Sequence, residues 1–193
     1  MSIADPTADD VLDFWFETAG PKRWYAATPA FDARVRRRFA ASVERNAQIW
    51  WERGHPWEDT ALGTFALIIQ FDQLTRNIWR GSGHAFAHDE IARHLAGQMI
   101  EQGYDWVIPD ERRAFVYMPY MHSENLDDQD LCVELATERL SGTGTRDHAI
   151  KHREVIRQFG RFPYRNEALG RISTAAETAY LDGGGYAPGR KRS

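Results

Sequence analysis

Cysteine is almost absent from this chain: Cys132 is the only one in 193 residues. No internal disulfide can form and no cysteine-based zinc cage exists, which fits a reducing compartment. Leu131, Val133 and Leu135 surround Cys132 in sequence and mark it as a small core residue, because apolar burial raises a thiol pKa. Long apolar runs are missing as well. The longest uncharged, mostly apolar stretch, Ala61 to Phe71, falls well short of the roughly 20 residues a spanning helix needs. The segment Met1 to Asp10 is acidic and lacks the basic-then-apolar pattern of a secretory leader. These absences predict a cytoplasmic protein with no membrane partner. Positive charge is not in excess either. A formal net charge of −4 disfavours a general nucleic-acid partner, which needs a broad basic face to displace counterions.

The alternating pattern of strands appears in no window, whereas helical periodicity recurs almost throughout. The spacing predicts an all-α protein of about eight helices, over 8–18, 30–53, 60–79, 85–102, 110–122, 126–140, 146–159 and 174–181. Short connectors favour antiparallel helix pairs. Thr174-Ala175-Ala176-Glu177 reads as a capping box, and Gly160 sits where a left-handed helix-ending residue belongs. A single helical domain is expected over 1–182. Residues 183–193, rich in glycine and ending in a basic cluster, are expected to be a flexible tail with nothing to pack.

Four groups of residues carry candidate chemistry. Asp72 and Arg76, four apart on a helix, are spaced to pair, and their apolar neighbours on the wheel favour a buried structural ion pair. Beside them a polar stripe of Gln70, Gln73, Asn77 and Arg80 must face solvent or a pocket, which leaves Asn77 and Arg80 open to a ligand. In Tyr117-Met118-Pro119-Tyr120-Met121-His122-Ser123-Glu124, the proline breaks the hydrogen-bond ladder near His122 and Glu124. His148 and His152 are spaced to clamp a metal, but the intervening Ala149-Ile150-Lys151 places a cation between them. Neither a metal nor a cofactor is expected. Last, Arg157, Arg161, Arg165 and Arg171 gather around Phe159-Gly160-Arg161-Phe162-Pro163-Tyr164-Arg165-Asn166. Their planar forks suit a carboxylate or phosphate, and suit a structural network capping helix ends equally well.

Four segments together resemble the bacterial domain-of-unknown-function 924 family. They are Leu12-Asp13-Phe14-Trp15-Phe16, Phe71-Asp72-Gln73-Leu74-Thr75-Arg76-Asn77-Ile78-Trp79-Arg80-Gly81, Met118-Pro119-Tyr120-Met121-His122-Ser123-Glu124 and the Phe159–Asn166 turn. The resemblance implies a tetratricopeptide-like, right-handed stack of helix pairs and supplies no substrate. Family members usually carry histidine where this chain has Tyr164, which favours a binding or packing role over proton chemistry at that position. Thr75 stands where proline or serine is common.

Two functions follow as expectations. In the first, a small anionic molecule binds in a concave cleft, held by Asn77, Arg80, Arg161, Arg165 and Asn166. His122, Glu124 and His152 are then candidate acid–base groups acting on a phosphate- or carboxylate-bearing metabolite. The alternative is a peptide- or protein-binding module without catalysis, by fold analogy. A third reading gives the motifs only a packing role. A ligand role predicts that Arg80→Ala and Arg161→Ala keep the thermal midpoint; a structural role predicts a large loss.

Overall fold

The computed structural model describes residues 5–24, 28–140 and 142–187; the basic end of the expected flexible tail, 188–193, lies outside them. Every regular element among the described residues is helical, as the periodicity predicts. The chain divides into two compact units, Met1–Pro109 and Asp110–Ser193.

In the first unit, helices cover 8–19, Pro21–Trp24, Pro29–Arg53, 61–78 and Asp89–Glu101, joined by 3-10 turns at Pro56–Asp59, Gly83–Phe86 and Tyr104–Val107. Local chemistry starts the two longest. Thr28 accepts from the Phe31 N–H ahead of Pro29, and Thr60 accepts from the Gly63 N–H. The 61–78 helix is the centre of this unit and packs against Ala8–Asp13, Pro29–Arg53 and Asp89–Glu101. Phe65, Leu67, Ile68, Ile69, Phe71 and Leu74 are all buried, consistent with a helix apolar on both sides. Gly63 is required where the Pro56–Asp59 turn lies on this helix, since a side chain there would overlap the Trp57 carbonyl.

The wheel for 61–78 fails in one respect. Over Ile69–Leu74 the helix widens to π geometry, with the Thr75 N–H reaching the Gln70 carbonyl, so the polar residues are re-aimed part-way along. Gln70, Gln73 and Asn77 are consequently buried, and of the stripe's polar residues Arg80 alone reaches solvent. The stripe forms a seam with the Pro29–Arg53 helix, where Asn46 donates to Gln70 at 2.9 Å and Arg36 Nε donates to the Ile78 carbonyl at 2.7 Å. That carbonyl is one of the last of its helix, where a cation is favourably placed.

In the second unit, Leu126–Arg139 packs on Asp110–Met121 and on Thr145–Phe159, and Ala175–Asp182 packs on the short turn Pro163–Arg165. Gln129 ties down the end of the Asp110–Met121 helix, donating to the Met121 and Ser123 carbonyls at 2.7 Å each. Cys132 is buried with its thiol pushed up to about 12 by that burial, so it is an inert core residue. The glycine-rich stretch does find a partner. Tyr186 packs on His152 and Tyr164, and its N–H donates to the Tyr180 hydroxyl at 2.9 Å.

Candidate functional site

The expected site residues belong to both units: Asp72, Arg76, Asn77 and Arg80 to the first, His122, Glu124, His152, Arg161, Arg165 and Asn166 to the second. Each group is built from its own neighbours.

In the first unit Asp72 is fully buried, and Arg76 lies 3.2 Å from its carboxylate, as the four-residue spacing predicts. The sequence did not reveal the fork's second partner. Asp89, at the start of the next helix, takes both Nη atoms of Arg76 at 3.0 and 3.1 Å, and the guanidinium stacks over Phe86. Asn77 and Arg80 converge on one carboxylate. Asn77 Nδ2 donates to Asp32 at 2.8 Å, and Arg80 donates to it through Nε at 2.7 Å and Nη2 at 3.2 Å. Asp32 lies in the first turn of the Pro29–Arg53 helix, where negative charge is favourable, so this clasp joins two helix ends.

In the second unit the arginines are likewise claimed. Arg161 makes a two-pronged bond to Glu177 at 2.6 and 2.9 Å and donates to the Ile172 carbonyl at 2.9 Å. Glu177 also completes the expected capping box with Thr174. Arg161 chiefly, then the Thr174 N–H, bring the Glu177 carboxyl down to about 2. Arg165, buried, lies flat on Phe162, with its guanidinium carbon 4.6 Å from the ring centre, and donates to the His122 carbonyl at 2.8 Å. Arg165 Nε also reaches the Tyr164 hydroxyl at 3.2 Å, which gives the tyrosine a packing and hydrogen-bonding role here. Arg171 grips Glu124 through both oxygens at 2.7 and 3.0 Å, and Glu124 accepts the Phe162 N–H at 2.8 Å. Burial pushes Glu124 up, but Arg171, the Phe162 N–H and the charge of Arg165 together hold it below the usual carboxylate range. Asn166 donates to Ser173 at 3.1 Å from a fully enclosed position.

His122 and His152 do come together, with ring centres 6.3 Å apart. His152 is packed against Phe162 and Tyr186, and its Nδ1 donates to the His148 carbonyl at 2.7 Å. A carbonyl can only accept, so the proton sits on Nδ1 and Nε2 is the ring's acceptor. Burial first, then the neighbouring His122, takes His152 down to about 3. The paired spacing with His148 thus ends in a side-chain-to-backbone bond. A shallow cleft of about 610 Å³ opens on this unit beside Gln158, Phe159, Arg161, Thr174 and Glu177.

Sequence reading missed a third cluster. Glu44, His84 and His88 place one carboxylate oxygen and two ring nitrogens within 4.8 Å of one another. Only the four-residue spacing of His84 and His88 was visible in the chain; Glu44 lies 40 residues before His84.

Comparison with known proteins agrees with the helical architecture. The family model described as bacterial protein of unknown function (DUF924) matches residues 11–185. A solved structure, the protein of unknown function ATU0120 from Agrobacterium tumefaciens, is similar at 34% identity with a TM-score of 0.82. The match covers 90% of this chain and 96% of that one. No curated protein matches. With the family pattern running through nearly all of both units, the chain belongs to this bacterial family of unknown function.

Proposed function

We propose that the second unit binds a small anionic molecule in the cleft beside Arg161. One observation carries this reading. Arg161 is held rigidly by Glu177 and Ile172 at the wall of an open cleft, and its Nη1 has no bond among the described residues. A planar donor fixed in advance loses little freedom when it meets a carboxylate or phosphate oxygen. Gln158, exposed at the lip, supplies further amide donors, and Phe159 and Ala176 offer an apolar wall. Because Glu177 already offsets the charge of Arg161, the ligand is a small anion with an apolar part, not a polyanion.

Proton transfer is not assigned to the histidine corner. His152, at about 3, is unprotonated at neutral pH and too weak a base to take a proton there. Glu124 is committed to Arg171 and the Phe162 N–H. Both act as fixed hydrogen-bonding groups in this reading.

The test is a thermal-shift panel on chelator-treated protein, with inorganic phosphate, phosphorylated metabolites and short apolar carboxylates. At least one class raises the midpoint in a saturable way. Gln158→Glu, which puts a like charge at an exposed lip position, weakens that ligand about tenfold or more while leaving the free protein's midpoint in place. No stabilising class, or a Gln158→Glu variant that binds as the wild type does, sinks the reading.

A further inference from the structure

The strongest unassigned chemistry lies in the first unit, where a helix and a tight turn aim three metal-ligating atoms at one point. Glu44 comes from the Pro29–Arg53 helix. His84 stands in the Gly83–Phe86 turn, whose start is fixed by the His84 N–H bonded to Ser82 Oγ at 3.2 Å. His88 immediately precedes the Asp89–Glu101 helix. The sequence predicts one helix over 85–102, but the chain breaks at Ala87 and His88. That break lets both imidazoles face the same carboxylate. Trp79 meets the His84 ring edge-on at 4.3 Å between centres, and Phe71 lies 5.6 Å from the His88 ring, so neither imidazole is loosely held.

The bonding around His88 is incomplete. His84 Nε2 lies 2.7 Å from Glu44 Oε1, a full hydrogen bond, whereas His88 Nε2 is 3.6 Å from the same oxygen. At that distance it makes no hydrogen bond, and His88 Nε2 is buried with no hydrogen-bond partner among the described residues. A buried ring nitrogen left unsatisfied and pointed at an oxygen and a second ring nitrogen is the arrangement a cation would complete. We propose that Glu44, His84 and His88 form a binding site for a divalent transition-metal ion of the zinc class.

The ligand chemistry selects the ion. Two imidazoles and one carboxylate suit zinc, cobalt or nickel, whereas calcium and magnesium ask for oxygen ligands. Zinc bonds to nitrogen and oxygen are about 2.0–2.2 Å long, so donors already within 4.8 Å of one another need only small side-chain adjustments to share an ion. The nearby Asp89 carboxylate does not compete, because Arg76 occupies both of its oxygens. Three protein ligands leave a further coordination position for water or a small ligand. The ion would also tie the Pro29–Arg53 helix to the Gly83–Phe86 turn.

Titration of chelator-stripped protein with Zn²⁺ by calorimetry, and with Co²⁺ by visible absorption, tests this. The expected result is one ion per chain, with cobalt bands typical of mixed nitrogen and oxygen ligation. Glu44→Gln and His84→Ala each weaken binding about tenfold or more. Both side chains are nearly half exposed, so these variants fold, which circular dichroism verifies. His148→Ala, at an exposed histidine outside the cluster, binds as the wild type does. Absence of stoichiometric binding to the wild type overturns the proposal. So do Glu44→Gln and His84→Ala variants with unchanged affinity, or an equal loss in His148→Ala.

Discussion

Each unit holds a histidine sealed among aromatic rings, and the two differ in one respect. His152 donates from Nδ1 to the His148 carbonyl and lies between Phe162 and Tyr186. His88 lies between Phe71 and Trp79 with its Nε2 unbonded among the described residues. The arginine near His88 shows the saturated pattern: Arg76 is gripped by Asp72 and Asp89. Residue type therefore does not separate structural from ligand-seeking groups in this protein. Saturation does. A polar group with its bonds made is part of the fold, whereas one sealed in with a bond missing carries a cost of about 1–3 kcal/mol that a ligand can remove.

The largest effect is expected where a saturated pair is broken. Arg76→Ala takes from Asp72, which is fully buried, the counter-charge four residues along the helix; urea denaturation should show a loss of about 3–5 kcal/mol. A loss near zero would mean that burial and saturation do not report structural weight here. The second effect is one of pH. His152 in the folded protein sits at about 3, well below the ordinary histidine value, so below pH ~6.5 the unfolded chain takes up a proton that the folded one refuses. Its contribution is intact above that pH and is lost on acidification toward 3, at up to about 1.4 kcal/mol per pH unit. His152→Phe should flatten the slope of stability between pH 6 and pH 4. Glu177, lowered to about 2, adds its own loss only further down, between about 4.5 and 2.

The helices were legible because their periodicity and caps are local. Thr174 and Glu177 were read as a capping box and form one. Glu177's second role, holding Arg161, depends on a contact 16 residues away and leaves no local trace. The same holds for Asp32, which takes Asn77 and Arg80 from 45 and 48 residues off. The wheel of the central helix was misleading for a different reason. It assumes 100° per residue, and the π stretch over Ile69–Leu74 breaks that assumption within the motif itself. The arginine-rich turn was recognisable as special, but the carboxylates that satisfy it come from Glu124 and Glu177, outside the turn.

Smaller effects sharpen the contrast among the arginines. Arg80→Ala should cost no more than about 1 kcal/mol, because the arginine itself is half exposed and Asn77 keeps its own bond to the Asp32 carboxylate. Arg161→Ala should cost more than Arg80→Ala, since it leaves the Glu177 side chain, 2% exposed, without its main counter-charge. Equal losses in equilibrium denaturation would argue that exposure of the partner does not matter.

The smallest expected effect bears most directly on the two histidines. Replacing His88 by leucine removes a buried nitrogen that makes no hydrogen bond, and leaves a side chain of similar bulk between Phe71 and Trp79. Removing an unsatisfied polar atom offsets the packing change, so metal-free His88→Leu should stay within about 1 kcal/mol of the wild type. His152→Leu gives up a formed hydrogen bond and aromatic contacts on three sides, so it should lose more. Denaturation of both variants at pH 7.5 in chelator keeps the two rings neutral and excludes any contribution from a bound ion. If His88→Leu proves the more damaging of the two, His88 is already satisfied in the folded protein, and the distinction between the histidines collapses.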